Sequence, residues 1–146
     1  MAPVRVVREV EADVQRLWQV VTDWPRHGDI VPLTEVVSDG SQVVGITGLG
    51  PLRFRDPMAL RDMVPPDGDR PGSVRLEKRG AVLGGWAEIE VSALGPGRSR
   101  LVFTEEIWPR PDAVGKRLGA VATPLTRLFV RLLVDGLVRG AQDPTR

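Results

Sequence analysis

From Leu33 to Trp108 apolar and polar residues alternate in short runs, and clusters of Gly, Pro or Asp punctuate them. A period of two held over so long a stretch demands strands, because successive side chains of an extended chain point to opposite faces. The spacing predicts strands near Leu33–Val37, Gln42–Leu49, Leu52–Val64, Ser73–Arg79, Gly84–Leu94 and Arg100–Trp108. Turns fall at Ser38-Asp39-Gly40, at Gly50-Pro51, from Pro65 to Gly72 and at Gly95-Pro96-Gly97. Strands joined by connections this short pair as an antiparallel meander.

Other periods bracket the meander. Val4–Val10 is a β-rich run with Val4, Val6 and Val10 of like parity. In Asp13–Thr22, Val14, Leu17, Trp18 and Val21 form the stripe of an amphipathic helix, and Asp13 suits the positive end of its dipole. Trp24-Pro25 breaks that helix, and Pro25 opens a second, short one over Pro25–Asp29. After Pro109, Val114, Leu118, Val121, Leu125, Leu128, Phe129 and Leu132 share a broad face that Leu133, Leu137 and Val138 widen. This predicts a long helix packed on the sheet through that face, kinked at Pro124 and ended by Gly140 and Pro144. The order is strand, two short helices, sheet, long helix, in a single α+β domain over residues 1–146.

Composition closes several functional classes. Twenty basic and nineteen acidic residues nearly cancel, which argues against a nucleic-acid binder. There is no cysteine and a single histidine, His27, so thiolate and multi-histidine metal sites are excluded and no cofactor is expected. The most apolar segment, Leu125–Val138, carries Arg127, Arg131 and Asp135, so no integral membrane segment is expected. No secretory leader is visible, and a cytoplasmic protein, monomer or homodimer, is the expectation. The glycines at 45, 48 and 50 lie between strands and not before a helix, so a nucleotide loop is disfavoured.

Short stretches along nearly the whole chain carry a family resemblance. They are Val14-Gln15-Arg16-Leu17-Trp18, Thr22-Asp23-Trp24, Gly45-Ile46-Thr47-Gly48, Asp56-Pro57-Met58, Gly80-Ala81-Val82-Leu83-Gly84, Gly97-Arg98-Ser99-Arg100 and Phe103-Thr104-Glu105-Glu106. With the element order, they make the sequence resemble the polyketide cyclase/dehydratase-type (SRPBCC) branch of the START-like helix-grip superfamily. That resemblance implies a curved antiparallel sheet of about six to seven strands wrapped around the C-terminal helix, with a cavity between them. It also implies a bacterial protein that binds a hydrophobic small molecule such as a lipid, isoprenoid or polyketide-like compound. A cyclase/dehydratase-type enzyme and a partner-binding module without a cavity are the alternatives.

Strand parity proposes what lines the interior. Phe54, Met58 and Leu60 share a face with Asp56, as do Leu76 with Lys78, Ala87 with Ile89, and Phe103 with Glu105. Trp24, Phe54, Met58, Leu60, Leu76, Lys78, Ile89, Phe103, Leu125 and Phe129 are the expected ligand contacts, and His27, Asp56 and Glu105 the candidate acids or bases. An apolar pocket holding a few oriented polar groups is the usual make-up of a small-molecule site. Plainer readings compete. His27 also reads as a capping residue after the proline turn, Asp56 as the mark of a bulge at Pro57, and Lys78 as a side chain reaching solvent. Trp86 and Trp108 have outward parity, and Arg53, Arg55 and Arg61 form an outer stripe that Glu77, Glu88 and Glu90 can neutralise.

Overall fold

The computed structural model describes residues 3–143. Its elements run β1 (Val4–Val10), α1 (Val14–Val21), α2 (Trp24–Ile30), β2 (Thr34–Ser38), β3 (Gln42–Leu49), β4 (Leu52–Val64), β5 (Gly72–Lys78), β6 (Leu83–Gly95), β7 (Arg98–Pro109) and α3 (Asp112–Gln142). The seven strands form one antiparallel sheet in the order β1-β7-β6-β5-β4-β3-β2. Strands two to seven are the expected meander. The helix pair then lets β1 close against the last strand, with Val4 opposite Glu105 and Val10 opposite Ser99. The sheet curls into a half-barrel, and α3 lies along its concave side, against β7 and β1.

The core forms where the concave face meets the helices. Val6, Val74, Leu76, Ile89, Val91, Leu101 and Phe103 project from the strands onto Leu17, Trp18, Val20 and Val21 of α1 and Val130, Leu133, Val134 and Leu137 of α3. Each such side chain taken out of water contributes about 1.5–3 kcal/mol. Polar ties fix the frame. Asp13 caps no helical N–H; its carboxylate instead accepts from the Gly97 backbone N–H at 2.8 Å and holds the β6–β7 turn against α1. Arg8 pairs with Asp135 at 3.0 Å, which anchors the second half of α3 to β1.

Two expectations about the frame are corrected. Pro57 marks no bulge: β3 and β4 stay in register from Gln42–Ala59 to Leu49–Leu52. The Pro57 carbonyl accepts from the Arg79 N–H at 2.8 Å, so the position of the missing proline donor faces the side where β5 has just ended. The irregularity lies further on, between Arg61 and Val64, where Asp62 has a φ of 50°.

The second correction concerns α3. It runs through Pro124 as one helix, but the face expected to pack is not the face that does. Val114, Leu118, Val121, Leu125, Leu128 and Leu132 are exposed, Val121 by 79% and Leu125 by 70%. The buried face is the neighbouring one, Val130, Leu133, Val134, Leu137 and Ala141, and it belongs to the second half of the helix. Apolar residues surround α3 on nearly two faces, so periodicity alone cannot choose between them. Pro144 lies outside the described residues.

Candidate functional site

Three ionisable side chains enter the concave interior from three strands. Asp56 on β4, Lys78 on β5 and Glu105 on β7 are 9%, 7% and 5% exposed. Strand alternation puts them there: each has the parity of buried apolar neighbours, Leu76 before Lys78 and Phe103 before Glu105. Lys78 donates to Asp56 through a short charge-assisted hydrogen bond, and its Nζ lies 3.8 Å from the Met58 sulfur. Lys78 is therefore not a side chain reaching solvent.

Satisfaction of this cluster is incomplete. Asp56 Oδ1 and Glu105 Oε2 are buried and have no hydrogen-bond partner. Burial pushes the Glu105 carboxyl up to about 7; Lys78 opposes the rise and the Asp56 charge adds to it. A carboxyl poised there exchanges a proton near neutrality and can serve as acid or base.

The three groups line a cavity of about 110 Å³. Met58, Leu76, Ala87, Ile89 and Phe103 from the sheet, Trp24 and His27 from α2, and Phe129 and Leu133 from α3 close it. Val31, Thr34, Val36, Val43, Gly45 and Thr47 complete the wall on the β2–β3 side. The Thr34 and Thr47 hydroxyls are 3.1 Å apart, on paired residues. Gly45 pairs with Asp56 and leaves the space above that carboxylate free of a side chain.

His27 is no cap. Its Nε2–H donates to the Val21 carbonyl at 2.9 Å, which leaves Nδ1 as the acceptor. Burial lowers its pKa, so the ring is neutral, and no hydrogen bond joins it to the carboxylates. The Trp24 ring lies beside it, with centroids 5.3 Å apart.

The structure thus brings Trp24, His27, Asp56, Met58, Leu76, Lys78, Ile89, Phe103, Glu105 and Phe129 around one hollow. Phe54, Leu60 and Leu125 do not line it. Phe54 shares the concave face, opposite Thr47, but lies beyond the cavity and is half-buried. Leu60 packs against the core, and Leu125 faces solvent. The β2–β3 wall adds lining residues beyond the expected set; Val43, Gly45 and Thr47 share one face of β3, and that alternation is their signal in the sequence.

Outside the hollow, Trp108 donates to Asp112 at 2.9 Å and carries Lys116 over its ring, so it fastens the start of α3 to β7. Trp86 lies under the Arg75 guanidinium, and Glu77 draws in Arg61, Arg75 and Arg79 on the outer face. A larger depression of about 820 Å³ between α2 and α3 is open and lined by Asp23, Arg26, Asp29, Arg139 and Asp143. It is charged and open, and among the described residues the one buried polar atom on its wall without a hydrogen bond, Arg26 Nε, faces the Asp23 carboxylate at 3.5 Å. Among the described residues no group of His, Asp and Glu side chains is placed to hold a metal ion, and no helix is long and apolar enough to cross a membrane.

No family model matches the sequence, and no curated protein does. Solved structures match along nearly the whole chain. An aromatase/cyclase, ZhuI, from Streptomyces sp. R1128 is 19% identical, with a TM-score of 0.68 over 99% of this chain and 95% of that one. A START superfamily protein from Mycobacterium smegmatis is 15% identical, with a TM-score of 0.65 over 96% and 99%. Norcoclaurine synthase from Thalictrum flavum, in complex with dopamine and hydroxybenzaldehyde, is 18% identical, with a TM-score of 0.55 over 94% and 84%. Identities this low carry the architecture and nothing finer. The seven-stranded half-barrel closed on a long C-terminal helix is the START-like helix-grip fold.

Proposed function

We propose that the chain binds a small apolar molecule bearing a hydrogen-bond donor, such as a hydroxyl, with the donor seated between Glu105 and Asp56. The observation that carries this reading is the pair of buried acceptors, Glu105 Oε2 and Asp56 Oδ1, left without partners on the wall of an apolar cavity. An unsatisfied buried acceptor costs about 1–3 kcal/mol, and a ligand donor recovers part of that cost. The aliphatic and aromatic wall supplies the rest, at about 25 cal/mol per Å² of apolar surface removed from water. The hollow of about 110 Å³ is smaller than the roughly 300–1,000 Å³ of drug-sized sites, so a long ligand must displace the wall. Phe129, the half-buried side chain that α3 adds to that wall, is free to give way.

Calorimetric titration with decanol and with decanoate tests the reading. The alcohol is expected to bind at least roughly tenfold more tightly, since the charge of decanoate would be set against the Asp56 and Glu105 carboxyls while Lys78 is already engaged by Asp56. Equal affinity, or a preference for decanoate, would sink it.

A second reading, a cyclase/dehydratase-type enzyme, draws its support from Glu105 alone. With its carboxyl near 7 and Lys78 and Asp56 beside it, Glu105 would be the acid or base and the ion pair would orient the substrate. A Glu105→Gln variant that binds ligand yet turns over no substrate would favour this reading. One that turns over substrate at the wild-type rate would end it.

A further inference from the structure

We propose that the end of the molecule carrying the β3–β4 turn and the start of α3 is a docking surface for an anionic lipid bilayer. This proposal rests on the surface and does not require that the cavity hold a ligand. The register places the connections 31–33, 50–51, 79–82 and 110–111 toward one end of the half-barrel, since Leu49 pairs with Leu52 and Leu83 with Pro109; Lys78 pairs with Met58, midway along β4, so the β3–β4 hairpin projects furthest. The Arg110 N–H donates to the Val82 carbonyl and the Gly48 N–H to the Leu33 carbonyl, which ties these connections together.

That end is apolar and exposed. Leu52 is 83% and Leu49 67% accessible, Leu33 lies beside the end of β3, and Val82 is exposed on the β5–β6 connection, further back. From there α3 carries Val114, Leu118, Val121, Leu125, Leu128 and Leu132 out of contact with the core. At 3.6 residues per turn these lie within about 80° of one another and extend over roughly 27 Å. Leu132, at the far end of the stripe, borders the depression against α2, so the stripe runs along the α2 flank of α3.

Charge selects the occupant. Between Ala113 and Val134 the helix carries Lys116, Arg117, Arg127 and Arg131 and no carboxylate. The connections at this end hold Arg79 and Arg110, each offset by an ion pair, to Glu77 and to Asp112, so the excess charge rests on α3. At the opposite end, the connections 11–13, 39–41, 65–71 and 96–97 carry Glu11, Asp13, Asp39, Asp67 and Asp69 against Arg70. With a net charge of only +1, the molecule has separated its charges: one pole basic and apolar, the other acidic. A basic helix with an exposed apolar stripe binds in the interfacial plane of anionic lipid, and the field orients it there. A second copy is the weaker match, because Arg117 and Arg131 flank the stripe and no carboxylate on that stretch of α3 would face them.

The test is flotation of the purified full chain with phosphatidylcholine vesicles, with and without phosphatidylglycerol. The protein should float with the anionic vesicles only and be released by high salt. The variants Leu52→Asp with Leu125→Asp, and Arg117→Glu with Arg127→Glu, alter exposed positions and should melt like the wild type. Each pair should lower partitioning by at least roughly tenfold. Leu94→Asp, at the acidic pole, should leave it unchanged. The proposal is overturned if the wild type does not float with anionic vesicles, or if both variants float as it does. It is equally overturned if sedimentation shows a wild-type dimer that Leu125→Asp splits, because a second copy would then cover the stripe.

Discussion

Glu105 ties its proton to the stability of the fold. Its folded pKa of about 7 stands above the unfolded value of 4.5, so the native state holds the proton more tightly. Below pH 4.5 both states are protonated and nothing is lost; between 4.5 and 7 only the unfolded chain ionises, and stability falls as pH rises. Glu105→Gln has no proton to lose. Its stability advantage over wild type in urea unfolding should therefore grow through that window, by about 3 kcal/mol, and level off above pH 7. A constant difference would place the carboxyl in a far more polar setting. For Asp56 and Lys78, removing one partner strands a buried charge. Asp56→Asn or Lys78→Met should each cost about 3–5 kcal/mol, whereas Asp56→Leu with Lys78→Met should cost clearly less than the sum. The candidate acids were readable before any coordinates because strand parity is binary: of Glu105 and Glu106 one had to point inward, and Phe103 decided which. Parity groups Asp56 with Lys78 or Glu105 in one interior, and which of the two pairs with it was not readable. Asp56 and Lys78 are far apart in sequence, and only the β4–β5 register brings them together.

At the scale of elements, strands proved far more legible than helices. Val4–Val10, Gln42–Leu49 and Leu52–Val64 have the expected bounds, since Gly-Pro and Asp-Gly turns stop a strand sharply. On α3 the longest heptad-like run of apolar residues, Val114 to Leu132, pointed to the wrong face. The packed face is set by what the sheet presents, and the core residues of α3 all fall in its second half. Pro124 sits in this sparsely packed half and removes one helical hydrogen bond. Pro124→Ala should raise thermal stability by roughly 1–3 kcal/mol, read from the shift in Tm. If α3 must yield to admit a ligand, the same variant should slow association in stopped-flow mixing while leaving dissociation less affected.

At the scale of the whole molecule, the fold sorts its functions by depth. The second half of α3, with α1 and the middle strands, forms a continuous core that holds the half-barrel together. Phe129 and Leu133 of α3, α2 and the β2–β3 wall enclose the hollow, and Trp24, Val36, Val43 and Leu133 belong to hollow and core alike. Substitutions at Leu137 or Leu101 should therefore be read as stability changes, whereas those at Phe129 or Trp24 act on the cavity first. The element order already placed a hollow between sheet and helix. Its small size could not be foreseen, because volume depends on how closely helix and sheet approach and not on residue type.

An interior void also sets the response to hydrostatic pressure. Unfolding under pressure is favoured by the loss of internal voids, and its volume change scales with them. The chain should unfold at moderate pressure, and any guest that occupies the void should shift the midpoint upward. Ala87→Leu, which fills the void from the β6 wall, should give the same pressure resistance without a guest and exclude decanol. High-pressure tryptophan fluorescence reads both effects, with Trp24 as a reporter on the wall.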